Sequence, residues 1–73
     1  MGLDPKIKSL ICVGSSITAN CQPCLKIHAE KARENGAADA EIREAVALGK
    51  SVRKGSATKM DEFTAVEVGA QDE

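Results

Sequence analysis

Aromatic side chains are almost absent from this sequence, which has no Trp or Tyr and only Phe63. It has no stacking platform and no basic block, with 10 Lys and Arg against 11 Asp and Glu, so a nucleic-acid partner is not expected. No apolar run approaches the roughly 18 residues of a membrane span, and residues 1–8 lack a signal-peptide core. These absences predict a cytoplasmic protein that binds neither nucleic acid nor membrane.

Large apolar side chains are also scarce, because alanine supplies 11 residues of the 42% apolar fraction. A chain of 73 residues allows one domain, over residues 1–73, and excludes enzymes with separate cofactor and substrate domains. A core this thin usually needs a disulfide, a metal or a partner subunit for stability. We therefore expect a single domain that forms a homo-oligomer.

The apolar residues recur at helical spacing, and no useful length alternates as a strand does, which predicts an all-α fold. Three main helices are expected, over residues 4–19, 21–35 and 39–54. Beyond Gly55-Ser56, residues 57–68 are expected to form a fourth, C-terminal helix or an arm onto a neighbouring subunit. Residues 69–73 are expected to be a disordered tail.

Residues suited to helix ends support these bounds. Asp4-Pro5 favours a helix start, Asn20 and Asp39 are expected N-caps, and Arg53 and Lys54 suit the negative end of the third helix. The predicted inner face of the first helix contains Ile7, Leu10, Ile11, Gly14 and Ile17, and that of the third contains Ile42, Ala45, Val46, Gly49 and Val52. Small residues at 45 and 49 predict the close approach of another helix.

The strongest chemical signal is Cys21-x-x-Cys24-x-x-x-His28 at the start of the second helix. The spacing lets the two thiols form a disulfide and places the imidazole one turn from Cys24, where it can exchange a proton. Free N–H groups at the helix start favour the thiolate. The motif predicts a redox enzyme that attacks a hydroperoxide or a disulfide, ends as a Cys21–Cys24 disulfide and is restored by an external dithiol, without another cofactor.

The same residues leave alternatives open. With Cys12, the motif offers four ligands that nominally suit a Cys3His zinc site in a non-catalytic binding or redox-sensing module. Two buried cysteines and a core histidine without any function are a further alternative. Cys12 itself is expected to pack beside the apolar stripe of the first helix rather than to take part in chemistry.

At these residues the sequence resembles the carboxymuconolactone decarboxylase family, specifically its alkylhydroperoxidase AhpD-like branch. The resemblance covers about Leu10 to Met60 and depends on Asn20-Cys21-Gln22-Pro23-Cys24-x-x-x-His28, Ala32-x-x-x-Gly36-Ala37 and the following helix to Gly55. Its members are all-helical trimers or hexamers. Similarity to the branch with both cysteines implies a thiol peroxidase or disulfide reductase. Such an enzyme would reduce alkyl hydroperoxides with a lipoyl or thioredoxin-like dithiol as reductant.

The resemblance also implies roles for individual residues. Cys24 would be the peroxidatic thiol, Cys21 the proton donor and resolving thiol, and His28 a member of the proton relay. The relay glutamate of the family falls on Ser9, and no Asp or Glu lies between Pro5 and Cys21. His28 must then act with water or with another subunit, which makes general thiol–disulfide exchange without peroxidase activity the main alternative. Decarboxylation is not expected, because nothing in the chain supplies an evident organic-acid pocket.

Overall fold

The computed structural model describes residues 2–69. In this range the chain forms three α-helices and no strand: α1 is Pro5–Thr18, α2 is Gln22–Glu34 and α3 is Asp39–Val68. The all-α prediction is confirmed. α1 packs against both other helices, whereas α2 and α3 barely touch each other. Of the tail predicted over 69–73, only Gly69 lies among the described residues, where it caps α3.

The start of α1 and the end of α2 follow the predicted local signals. The backbone N–H of Ile7 donates to Asp4 Oδ1 at 2.9 Å, and Pro5 occupies the first turn, where no N–H is needed. At the end of α2, Gly36 has a φ of 92° and its N–H donates to the Arg33 carbonyl. The next N–H, of Ala37, reaches the Ala32 carbonyl at 2.9 Å, so the free carbonyls of the last turn are satisfied.

Two of the predicted N-caps are wrong by one residue. Cys21, not Asn20, caps α2, and Asn20 instead has a φ of 57° in the turn that leaves α1. α3 is capped at Ala38, not Asp39, because Glu41 reaches back and accepts the Ala38 N–H at 2.9 Å. This hydrogen bond, followed by the one from Lys6, holds the pKa of Glu41 below its ordinary value.

The predicted break at Gly55 is also wrong, because α3 continues through it as one helix of 30 residues. A single glycine costs about 1 kcal/mol relative to alanine in a helix interior, which is too little to end a helix that has good helix formers on both sides. Residues 57–68 are therefore not a fourth helix. Arg53 and Lys54 consequently lie in the middle of α3 and not at its C-terminal end.

The core is small, and α1 enters it mainly through a stripe beside the predicted inner face, of which Leu10 packs against the core. Its fully or nearly buried apolar residues are Val13, Ala32, Ala37 and Ile42. α1 also buries Ser9 and Ser16, whereas the predicted inner residues Ile7 and Ile11 are 37% and 52% exposed. The serine hydroxyls donate to carbonyls one turn earlier, at 2.9 and 2.7 Å, so they enter the core without losing a hydrogen bond.

α1 and α3 approach each other closely at Gly14 and Gly49, as the small residues of α3 predict. A β-carbon on Gly49 would overlap the Gly14 carbonyl oxygen and would lie 2.9 Å from the β-carbon of Ile17. Thr18 adds a hydrogen bond across the contact, from its hydroxyl to the Gly49 carbonyl at 3.1 Å. Of the predicted inner face of α3, Ile42 and Gly49 are buried, but Val52 is 60% exposed.

Candidate functional site

Cys21 and Cys24 form a disulfide at the junction between α1 and α2, with their α-carbons 5.2 Å apart. Cys21 is the N-cap of α2 and Cys24 lies in its first turn, so the two side chains meet without any change in the backbone of the helix. The structure therefore joins two of the three residues that the sequence predicts as catalytic. A reversible thiol–disulfide couple is the chemistry that this pair supports.

The Cys21 sulfur also takes part in the helix start. As the N-cap of α2, it accepts the backbone N–H of Cys24 at 3.3 Å. Because the first N–H groups of a helix have no partner within the helix, they direct positive partial charge towards this sulfur. In the reduced protein the start of α2 favours a thiolate within the Cys21–Cys24 pair.

His28 lies on α2 one turn after Cys24, on the same side of the helix. It is half-buried, and its imidazole makes no hydrogen bond with another residue in the described range 2–69. Both ring nitrogens therefore remain available to a substrate or to water. This position agrees with the proton-transfer role that the sequence suggests, although the role itself stays a prediction.

Ser9 does not stand near the disulfide. Its hydroxyl accepts from the Asn35 side-chain amide at 2.8 Å and donates to the Pro5 carbonyl at 2.9 Å. Asn35 follows the last residue of α2, so this contact is about 20 Å along the helix from Cys21. A hydroxyl held here serves the packing of α1 against α2. Position 9 is too far from Cys21 for its side chain to act as the relay carboxylate within the same chain.

Cys12 is a free, half-buried thiol on α1. Among residues 2–69, no three His, Cys, Asp or Glu side chains lie close enough together to hold a metal ion. The four ligands of the alternative zinc site, Cys12, Cys21, Cys24 and His28, are therefore not assembled in this structure. Packing is the use of Cys12 that its position supports.

Arg53 is the residue near the disulfide that sequence reasoning missed. From the middle of α3 its Nη1 atom donates to the Ile17 carbonyl at 3.2 Å and to Asn20 Oδ1 at 2.8 Å. These bonds tie the turn before Cys21 to α3. Nothing local in the sequence predicts them, because Arg53 and Asn20 are 33 positions apart.

A small pocket of about 210 Å³ lies at the same junction. Its wall includes the end of α1, the start of α2 and one side chain of α3, with Ser16, Ile17, Asn20, Cys21, Leu25 and Arg53 among its residues. Cys21 is thus reached from this pocket, whereas Cys24 does not line it. The pocket combines one cysteine of the disulfide, an apolar wall and Arg53.

A larger, open groove of about 710 Å³ runs between α1 and α3. Its walls are mainly apolar and include Ile7, Leu10, Ile11, Leu48 and Val52. With Gly14, the α1 residues are four of the five that form the predicted inner face, and Ile17 is the exception. Much of that apolar face is therefore open to the groove, although Leu10 also packs against the core.

Comparison with known families gives the same assignment as the motif. The sequence model of the carboxymuconolactone decarboxylase family matches residues 1–67, which is nearly the whole chain. The chain belongs to the carboxymuconolactone decarboxylase family. No curated protein and no solved structure matches it. Family membership confirms the resemblance and agrees with the all-α fold, and the disulfide within the C-x-x-C motif of this family member fits a redox role.

Membrane insertion was not expected from the sequence. No helix in the range 2–69 combines the length and the apolar character that a bilayer crossing requires.

Proposed function

We propose that this chain is a thiol-dependent oxidoreductase of the alkylhydroperoxidase AhpD-like branch, which reduces hydroperoxides in the cytoplasm. The observation that carries the proposal is the Cys21–Cys24 disulfide at the start of α2, with His28 one turn beyond it. Membership in the carboxymuconolactone decarboxylase family supports it. A redox-active pair of this kind suits a reducing compartment in which an external dithiol can restore it.

The reaction begins on the reduced protein. The Cys24 thiolate attacks the terminal oxygen of the hydroperoxide, the O–O bond breaks, and Cys24 becomes a sulfenic acid. The alkoxide leaves as the alcohol after it takes a proton from the Cys21 thiol, either directly or through His28. The Cys21 thiolate then attacks the Cys24 sulfur, which forms the disulfide and releases water once the departing hydroxide has been protonated.

Reduction of the disulfide completes the cycle. A lipoyl or thioredoxin-like dithiol gives two electrons to the protein and becomes a disulfide itself. Thiol–disulfide exchange alone remains a second candidate function, and the position of Ser9 favours it. Since Ser9 is engaged with Asn35 and no carboxylate replaces the relay glutamate in α1, proton transfer during peroxide reduction depends on His28 and water.

The redox proposal is tested by the mass and free thiols of the reduced protein after one equivalent of cumene hydroperoxide. Because the reaction ends in one disulfide, we expect the loss of two thiols and of about 2 Da, followed by recovery with dihydrolipoamide. Thiols that stay free under peroxide but are oxidised by a small disulfide would support the exchange function instead. Thiols that react with neither compound would contradict both functions.

We also propose that the chain is a homo-oligomer in which α3 of one copy enters the groove of another. Residues 54–68 of α3 are exposed on all sides and form an arm with Met60, Phe63 and Val66 exposed by 59% or more. An isolated helix of this length is only marginally stable in water, so a partner surface is needed. The arm is part of one continuous helix, and none of its residues lines the groove of its own chain.

The lengths of the two surfaces agree. The arm is about 22 Å long, and the groove follows α1 from Ile7 to Thr18 over about 17 Å. The groove and the Met60–Phe63–Val66 side of the arm are both apolar, and each lacks a partner within residues 2–69. A second copy of the chain therefore supplies what each of them lacks, which is consistent with the trimers or hexamers that the family resemblance implies.

Phe63→Asp should convert this oligomer into a monomer, because it places a charge in the apolar contact. Light scattering is expected to give a multiple of 7.7 kDa for the natural chain and about 7.7 kDa for the variant. Ala65→Asp is the matched control, since it adds the same charge on the side of the helix opposite Met60, Phe63 and Val66 and should leave the mass unchanged. A natural chain that is monomeric at tens of micromolar would contradict the proposal.

A further inference from the structure

The guanidinium of Arg53 carries a positive charge and has no carboxylate within ion-pair distance among residues 2–69. Its two hydrogen-bond partners are neutral oxygens, of Ile17 and Asn20, and the ion pairs found within residues 2–69 do not include it. Only Nη1 makes these bonds, so further N–H donors of the planar group are not used by them. An uncompensated cation of this kind attracts anions to the pocket that it lines.

The same pocket selects one sulfur of the disulfide. Cys21 lines the pocket together with Arg53, and Cys24 does not. A thiolate that enters the pocket therefore lies next to Cys21 and not next to Cys24. The apolar walls formed by Ile17 and Leu25 suit the hydrocarbon part of a small thiol compound.

We propose that this pocket is the docking site for the reductant of the disulfide, and that it prefers an anionic dithiol whose thiolate attacks Cys21. The inference rests on the proposed redox function and assigns the class of reductant and the point of attack. Arg53 binds the anion and positions the turn that carries Cys21. It is a specificity-determining residue rather than a proton donor.

The exchange proceeds in two balanced steps. The reductant thiolate forms a bond to the Cys21 sulfur, the Cys21–Cys24 bond breaks, and Cys24 leaves as a thiolate. The second thiolate of the reductant then attacks its own bound sulfur and releases the Cys21 thiolate, so the reductant becomes a cyclic disulfide. The leaving Cys21 sulfur is stabilised by the Cys24 N–H and by the nearby Arg53, and the two protein thiolates take up protons from water.

Dihydrolipoate and dihydrolipoamide test the proposal, because they share one dithiol and differ only in a negative charge. At low ionic strength we expect dihydrolipoate to reduce the oxidised protein about five to ten times faster, and the ratio to fall towards one in about 1 M salt. Arg53→Met should bring the ratio to about one at low salt as well, whereas Arg53→Lys should retain part of it. Since a ratio is measured, a general change in the reactivity of the disulfide cancels.

Lys31→Met is the matched control, because it removes the same charge about 15 Å along α2 from Cys21 and should keep the ratio. Acid quenching after a brief exposure to mercaptopropionate should also place the mixed disulfide on Cys21. Equal rates for the two dithiols in the natural chain, or an adduct on Cys24, would overturn the docking inference while the redox function stands. A disulfide that neither dithiol reduces would instead contradict the proposed function.

Discussion

Replacing Cys24 by serine should abolish hydroperoxide consumption. The hydroxyl of serine is not ionised at neutral pH, and Cys21 alone lacks the imidazole one turn away that Cys24 has. Cys21→Ser should instead allow one attack and then stop, because no second thiol resolves the sulfenic acid on Cys24. Hydroperoxide loss and a dimedone adduct on Cys24, detected by mass, measure the two outcomes.

Cys12→Ser is the control for this pair, because it removes a thiol that lies outside the disulfide, and its activity should stay close to that of the natural chain. His28→Ala should slow the reaction and change its pH profile without abolishing thiol oxidation, since the imidazole only transfers protons. Full activity in Cys24→Ser, or a sulfenic acid trapped on Cys21, would reverse the assigned roles of the two cysteines.

Gly49→Ala should destabilise the fold strongly for a single added methyl group. The new β-carbon would overlap the Gly14 carbonyl oxygen, which is backbone and has no flexible end that can turn aside. α1 and α3 would have to separate, and overpacking of this kind costs about 1–3 kcal/mol. In a domain of this size, that is a fall of roughly 5–20 °C in the melting temperature, which can be followed by circular dichroism at 222 nm.

Gly55→Ala makes the same chemical change six residues, or about 1.7 turns, further along the same helix. Nothing lies within 4 Å of a β-carbon at position 55, so only the helix preference changes, and we expect a gain of about 0.5–1 kcal/mol. The two variants should therefore differ in the sign of their effect. A Gly49→Ala protein as stable as the natural chain would mean that α1 and α3 do not make this contact.

The course of the chain was largely predictable because local chemistry determines it. Asp4 and Pro5 start a helix and Gly36 ends one through interactions within a few residues, and the structure confirms all three. The helix end predicted at Gly55 was wrong, because a lone glycine ends a helix only where other interactions stabilise a turn. The burial of Ser9 was not predictable from hydrophobic spacing, because its suitability for the core depends on a hydrogen bond rather than on an apolar side chain.

The candidate site divides in the same way. Cys21, Cys24 and His28 are positioned by the periodicity of one helix, so their proximity could be predicted from eight consecutive residues. Arg53 reaches the site from another helix, and only the Gly14–Gly49 contact brings it close enough to bind Asn20. The small residues indicate a close helix contact, but they do not predict that this contact brings Arg53 to the site.

The arm of α3 also determines the hydrodynamic size of an isolated chain. The radius of gyration is 15.7 Å, whereas a compact chain of this length would have about 11 Å. The longest dimension, 48 Å, is almost twice the next, 26 Å. A lone protomer would therefore experience more friction than a sphere of equal mass and would elute early from a sizing column, as a globular protein of larger mass would. In the proposed oligomer the assembly would gain mass while it loses asymmetry, so the elution volume should change less than the mass does.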